Sequence, residues 1–136
     1  MKISLAVLLA FVLSYLTTQT KSPENQPKTK MNAAYLDQSS DALEAVDRLF
    51  EIQDEPRSIF IPARLEAEKY IAKAARLANT PAENNAQDAL SAYFAELTIC
   101  RIATESSNKI SASCKGGRSD QTRVEAFAAI NGRHVE

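Results

Sequence analysis

Apolar residues recur at intervals of three and four along most of this chain, and no segment shows the alternating pattern of a half-buried strand. The first such stripe starts at Ser39, where Asp41 is predicted to cap a helix with Glu44 in the reciprocal position. We expect this helix to end at Glu55, because the residue before a proline is pushed out of the helical region. Its stripe consists of Leu43, Val46, Leu49 and Phe50.

Two further helices follow. Pro62 suits the first turn of the second helix, after the short apolar stretch 59–61. The third helix has the clearest start, since Thr80-Pro81-Ala82-Glu83 is a capping box with proline at the first helical position, and it is predicted to run to about Thr104. The second stripe is Ala63, Ala67, Tyr70, Ile71, Ala74, Leu77 and Ala78; the third is Ala86, Leu90, Tyr93, Phe94, Leu97 and Cys100.

The last part of the chain is predicted to contain one short helix behind a polar loop. The loop covers residues 105–117 and includes Gly116 and Gly117, which break helices. The helix is predicted from about Asp120 to Ile130, with an end at Asn131-Gly132. Its apolar face consists of Val124, Phe127 and Ile130. The four stripes together predict an all-α fold, a small helical domain of about four helices.

The N-terminus has the form of a secretory signal. Fourteen uncharged residues, Ile3 to Leu16, follow Lys2 and precede polar sequence. A membrane-spanning helix needs about 20 apolar residues, so this run is short for an anchor. We therefore assign residues 1–20 to a signal peptide, 21–38 to a polar linker and 39–136 to the helical domain. An uncleaved anchor, tethering the domain to a bacterial or phage envelope, is the alternative.

The chain has two cysteines, Cys100 and Cys114. A signal peptide implies an oxidising compartment, where a cysteine pair indicates a disulfide. A metal pair is the less favoured interpretation, because the single histidine, His134, lies two residues from the last one given. Redox catalysis usually requires C-x-x-C spacing, which is absent. We expect a structural disulfide, with no metal and no cofactor.

Charge and composition argue against several classes of function. The 16 basic and 17 acidic residues nearly balance, which disfavours a nucleic-acid or membrane-surface role based on bulk charge. One histidine and three glycines exclude most triads and glycine-rich phosphate loops. No catalytic residues are therefore assigned, and we predict that the protein is not an enzyme.

Charge is nevertheless uneven along the chain. Segment 41–55 holds six acidic residues against one arginine, whereas segment 101–133 holds six basic residues against three acidic ones. Solvated helix faces explain most such runs. The opposite signs also favour antiparallel packing of the two segments, or self-association.

The second half of the chain carries a specific pattern. Residues 97–104 read LTICRIAT, Cys114 follows, and residues 124–127 read VEAF. This order and spacing resemble the lumenal cysteine-bearing domain of the fungal nuclear fusion (karyogamy) proteins, the brambleberry-related family. The matched positions are Leu97, Ile99, Cys100, Ala103, Cys114, Val124, Glu125 and Ala126. Three features depart from the family: segment 63–77 has no cysteine, Arg101 replaces a common acidic residue, and Arg123 stands where a cysteine usually precedes the Val-Glu-Ala segment.

The resemblance implies a protein of the endoplasmic reticulum lumen or nuclear envelope, of the kind required for nuclear membrane fusion during mating. It also implies a protein partner or self-association in the lumen. Contact with the membrane would come only through the signal segment or through a C-terminal anchor absent from these residues, in which case the chain is a truncated form. The alternative is a small secreted helical effector or inhibitor stabilised by one disulfide.

Overall fold

The computed structural model describes residues 30–107 and 114–131. They form four helices: α1 (Ala33–Glu51), α2 (Arg57–Leu77), α3 (Pro81–Ser107) and α4 (Arg118–Ile130). The described residues contain no strand, so the predicted all-α fold of four helices is confirmed. The proposed signal segment and residues 21–29 of the linker lie outside the described residues.

The helices are arranged around α1, which packs against each of the other three. Helices α2 and α3 are antiparallel, since Arg57 approaches Glu105 at one end and Ile71 accepts a bond from Gln87 towards the other. Helix α4 packs on α3 and α1 but is not in contact with α2 within the described part of the chain. Helices α2 and α4 thus flank α1 on different sides.

The core combines alanines at helix contacts with a few large side chains. Alanine lets helix backbones approach closely, and Tyr35, Phe60 and Tyr93 fill much of the remaining space. The buried apolar residues include Met31, Tyr35, Ala42, Leu43, Val46, Leu49, Phe60, Ala67, Ala74, Ala86, Leu90, Tyr93, Leu97, Ala126 and Ile130. The predicted stripes of α1 and α3 are mostly confirmed. Val124 is 66% exposed, however, because Ala126 and Ile130 form the inner face of α4.

Helix α1 begins earlier than predicted. It starts at Ala33, so the last six residues of the predicted linker are helical and Asp41 lies inside the helix. The reason is burial: Met31 and Tyr35 are both in the core, and the Tyr35 hydroxyl donates to Gln87 Oε1 at 2.9 Å. The compact unit accordingly begins at Met31.

Helix α2 also starts earlier than expected. It begins at Arg57, directly after Pro56, and Pro62 lies inside it. Pro56 suits the position before a helix, and its carbonyl accepts the N–H of Phe60 at 3.0 Å. Phe60 is 1% exposed, so burial of its ring fixes this first turn as helix. Pro62 cannot donate to the carbonyl of Ser58, and the helix tolerates that loss.

The start of α3 follows the prediction. Glu83 N donates to Thr80 Oγ1 at 3.1 Å, and Thr80 N donates to Glu83 Oε1 at 3.1 Å, which is a reciprocal capping box. The same Oε1 accepts the N–H of Asn79 at 2.8 Å. The helix then continues to Ser107, about one turn beyond the predicted end.

Glu83 also holds the start of α1. Its Oε2 accepts the N–H of Asn32, the residue before α1, at 2.6 Å, although the two residues are 51 apart in sequence. The Glu83 side chain is fully buried. Two helix N-termini, each with partial positive charge, thus converge on one carboxylate. These N–H donors explain how the charge is kept in the core, although Glu83 is in no ion pair among the described residues.

The three N–H donors also set the titration of Glu83. Burial alone raises the pKa of this carboxyl, but the hydrogen bonds from Asn79, Asn32 and Thr80 outweigh burial, and the pKa lies below its usual value. A carboxyl whose pKa is lowered on folding stabilises the fold above its unfolded pKa of about 4.3. That stabilisation is lost as the pH falls through the lower folded value.

We expect Glu83→Gln to lower the free energy of unfolding by about 3 kcal/mol at neutral pH. The amide is uncharged and its NH2 group cannot accept, so at least one of the three N–H groups loses its acceptor. Urea unfolding at several pH values measures this. The difference between wild type and variant should shrink as the pH falls below about 4. Thr80→Ala, which removes only the hydroxyl cap, should cost about 1 kcal/mol. Equal stability of Glu83→Gln and wild type at pH 7 would contradict the account.

Candidate functional site

The disulfide predicted between Cys100 and Cys114 is present. It joins α3, two turns before its end, to the residues that precede α4, with the two Cα atoms 4.9 Å apart. Both cysteines are buried, and Thr104 Oγ1 lies 3.8 Å from Cys114 Sγ. The bridge thus ties the residues that lead into α4 to the C-terminal part of α3. Residues 108–113 of that segment lie outside the described residues.

A tight turn leads from the disulfide into α4. Gly117 N donates to the carbonyl of Cys114 at 2.9 Å, and Gly116 has a φ of 85°, a conformation that side chains disfavour. Gly116 N donates to Asp120 Oδ2 at 2.8 Å. The two glycines thus lie outside the helices, as predicted, and α4 begins at Arg118, two residues before the predicted start at Asp120.

Arg101, next to the disulfide, binds the α1–α2 loop. Its Nη1 donates to the carbonyls of Gln53 and Glu55, at 2.8 and 2.6 Å, and its Nε donates to Glu105 Oε2 at 2.7 Å. The guanidinium lies 4.7 Å from the centre of the Phe60 ring. The hydrogen bond from Arg101 lowers the pKa of the Glu105 carboxyl. A mostly buried cation thus attaches α3 to the start of α2 and the loop before it.

Asp47 links three helices. Arg123 of α4 donates to it through Nε at 2.6 Å and Nη2 at 3.1 Å, a bidentate pair. The Tyr93 hydroxyl of α3 donates to the same carboxylate. Burial, followed by the bond to Asp47, raises the pKa of Tyr93, and the bond to Asp47 raises that of Arg123. The acidic and basic segments of the chain therefore pack against each other at this point, as their charges predict.

Two aromatic rings make cation–π contacts with the cations of α4 and of the turn before it. The Phe50 ring lies 4.8 Å from Lys115 Nζ and 5.2 Å from the Arg123 guanidinium, which is also 4.8 Å from the Phe127 ring. Such cation–π contacts each contribute about 0.5–1 kcal/mol at exposed sites. Phe50 thus helps to hold α4 on α1, whereas the contact between Arg123 and Phe127 lies within α4.

An open groove of about 620 Å³ lies between α1 and α4. Leu43 and Phe127 supply its apolar surface, and the exposed carboxylates of Glu44 and Glu51 lie along α1. We call it the acidic groove; its lining residues are Ser40, Leu43, Glu44, Asp47, Arg48, Glu51, Phe127 and Asn131. This combination suits a cationic side chain with an aliphatic stem.

The residues that carry the family resemblance divide into two groups. Leu97, Cys100, Cys114 and Ala126 are buried around the α3–α4 junction, and Ala103 is partly buried. The remaining three, Ile99, Val124 and Glu125, are exposed. Of the eight, the structure brings Cys100 and Cys114 into covalent contact.

Sequence reasoning missed the polar contacts that connect the helices. Arg101 stands one turn after Leu97 in a buried stripe, and a charge in an apolar stripe is a recognisable signal for a buried partner. Asp47 gives the same signal, because it follows Val46, a member of the buried stripe of α1. Their partners, Arg123 and the loop carbonyls, are 46 or more residues distant, so no local pattern identifies them.

The described residues also bear on metal binding and on membranes. They contain no group of three or more histidine, cysteine, aspartate or glutamate side chains placed to hold a metal ion. None of the four helices has both the length and the apolar character needed to cross a membrane. His134 and the apolar run from Ile3 to Leu16 lie outside the described residues.

Comparison with known proteins gives no match. No protein-family model, no curated protein and no solved structure matches this chain.

Cys114→Ser should lower the free energy of unfolding by about 2–4 kcal/mol, because the bridge restricts a 14-residue loop in the unfolded chain. Denaturant unfolding measures the loss. The double variant Cys100→Ser/Cys114→Ser should lose about as much as the single one, since both lack the same bond. Non-reducing peptide mapping should recover the two cysteine peptides joined, and two alkylatable thiols in freshly isolated protein would contradict the prediction.

Arg101→Met keeps the aliphatic stem but removes all three polar contacts. It should cost about 2 kcal/mol of unfolding free energy, because the carbonyls of Gln53 and Glu55 lose a charged donor. The matched control is Arg76→Met on the exposed face of α2, expected to change stability by less than about 0.5 kcal/mol. Similar losses in both variants would show that Arg101 does not hold the loop.

Proposed function

We propose that this chain is a disulfide-stabilised helical domain that acts by binding another protein in the endoplasmic reticulum lumen or nuclear envelope. In this proposal it serves nuclear membrane fusion during mating, as the resemblance to the karyogamy proteins implies. The observation that carries the proposal is the disulfide between Cys100 and Cys114. These are the two cysteines on which the resemblance depends.

The disulfide supports the choice of compartment. Disulfides persist in oxidising compartments and are rare in the cytosol. Both cysteines are buried beside Arg101 and Thr104, so the bond belongs to the packed interior of the α3–α4 junction. Together with the signal-like start of the chain, it favours a protein that enters the secretory pathway.

Exposed apolar side chains support a binding role. Ile99 and Ile102 are 47% and 58% exposed, and because they are three residues apart they share one face of α3. Both belong to the segment that resembles the karyogamy proteins. Exposed apolar groups that adjoin one another are typical of contact surfaces. We propose that this isoleucine pair contacts the partner.

The departures from the family pattern have structural roles in this chain. Arg123 occupies the position where the family usually has a cysteine, and its bidentate pair with Asp47 attaches α4 to α1. Arg101 replaces a common acidic residue and binds the α1–α2 loop. Under the proposal, the chain is a diverged member whose noncovalent ties replace part of the family's cysteine framework.

The second candidate is a secreted helical effector or inhibitor. The observation that favours it is that the core and the disulfide belong to one compact unit beginning at Met31. A unit of this kind, released by cleavage of the signal, suits action outside the cell. The two candidates predict different locations for the mature protein.

The test is complementation in the source organism. Deleting the gene should leave zygotic nuclei unfused, and wild-type protein should restore fusion and fractionate with the nuclear envelope. Ile99→Glu/Ile102→Glu should fail to restore fusion, because two charges disrupt an apolar contact while the exposed positions leave the fold intact. The matched control, Leu65→Glu on the exposed face of α2, should restore it.

Normal nuclear fusion after gene deletion, with mature protein in the culture medium, would contradict the lumenal proposal and favour the secreted one. Circular dichroism of the purified variants shows whether both have kept the helical fold.

A further inference from the structure

We propose that this chain assembles head to tail, with the acidic groove of one copy receiving the basic outer face of α2 from the next. The basic face consists of Lys69, Lys73 and Arg76. The inference builds on the proposed binding function by naming a second copy as a partner and the two surfaces that meet. It makes no use of the compartment or of the isoleucine pair.

The acidic groove has three carboxylates and one exposed cation, Arg48, on its lining, beside apolar surface. Asp47 at its centre is already paired with Arg123. Glu44 and Glu51 lie one turn to either side of Asp47, both are exposed, and neither is in an ion pair within the described residues. Long cationic side chains can satisfy these carboxylates while their aliphatic stems cover the half-buried ring of Phe127.

The basic face of α2 has the complementary chemistry. Lys69, Lys73 and Arg76 are three or four residues apart and lie on consecutive turns of one exposed face. Within the part of the chain that the structure describes, none of them is in an ion pair, and Lys73 Nζ lies 5.5 Å from the Tyr70 ring. Their aliphatic stems can cover apolar surface while the charged ends reach carboxylates.

The arrangement of the helices leaves both surfaces available in the same molecule. The acidic groove lies between α1 and α4, whereas the basic face is on α2, and the described parts of α2 and α4 are not in contact. One copy can therefore offer its groove to a second copy and its basic face to a third. Such a heterologous contact propagates instead of closing as a two-fold dimer.

Charge complementarity within one sequence favours a second copy as the occupant. The two surfaces carry opposite charge, whereas the whole chain has a net charge of −1, so little long-range repulsion opposes association. A contact of this kind should weaken at high salt, because exposed charges are screened.

Sedimentation velocity of the purified, oxidised chain tests the assembly. Wild type should show concentration-dependent association at low salt that is lost at about 0.5 M salt. Glu44→Lys/Glu51→Lys reverses the charge of the groove, and Lys69→Glu/Lys73→Glu reverses the charge of the basic face. Each variant alone should associate about 100-fold more weakly, because like charges then meet.

Mixing the two variants gives the sharpest result. The reversed groove of one variant matches the reversed α2 face of the other, and the unchanged surfaces of the two variants also match. The mixture should therefore recover head-to-tail association with the two variants alternating, although each variant associates far more weakly by itself. The matched control is Asp88→Lys/Glu125→Lys, which changes the net charge as much as the groove variant does but at exposed positions away from both surfaces. It should associate like wild type.

Wild type that stays monomeric at low salt, or association unchanged by either reversal, would overturn the proposal. The groove would then be left to a different partner. Association lost in both variants without recovery on mixing would also overturn the pairing of these two surfaces. The sedimentation experiment uses purified protein, so its outcome does not depend on the complementation test of the proposed function.

Discussion

The fold depends on one buried carboxylate. Glu83 accepts the N–H groups of Asn32, Asn79 and Thr80, so the first residues of α1 and α3 are held by the same side chain. A buried charge without donors is expensive, but here two helix N-termini supply both the donors and the favourable dipole. Because Asn32 precedes the first turn of α1, this contact holds the start of the compact unit together with the burial of Met31 and Tyr35.

The other end of the bundle is held by contacts of a different kind. The disulfide joins α3 to the approach to α4, Arg101 binds the loop between α1 and α2, and Asp47 connects α1 to Arg123 and Tyr93. A core rich in alanine buries little area per side chain, so a small domain of this type gains from such ties. These contacts leave the outer faces of the helices free, and a rigid scaffold with free faces suits a protein that works by binding.

The sequence predicts the helices better than the contacts between them. Spacing and local caps identify four helices, the capping box at Thr80 and the paired cysteines. The predicted starts of α1 and α2 are wrong, because Tyr35 and Phe60 are fixed by burial against distant residues. The long-range partners of Glu83 and Arg101 have no local signature. The acidic groove arises from the packing of α1 on α4, which no single segment encodes.

Amide hydrogen exchange tests the role of Glu83 most directly. The N–H of Asn32 lies before the first helix, where terminal amides usually exchange quickly. If Glu83 holds both helix starts, the amides of Asn32, Asn79 and Thr80 should be protected nearly as well as the core of α3, and Glu83→Gln should expose all three together. Rapid exchange at Asn32 in wild-type protein, with α3 still protected, would contradict this account.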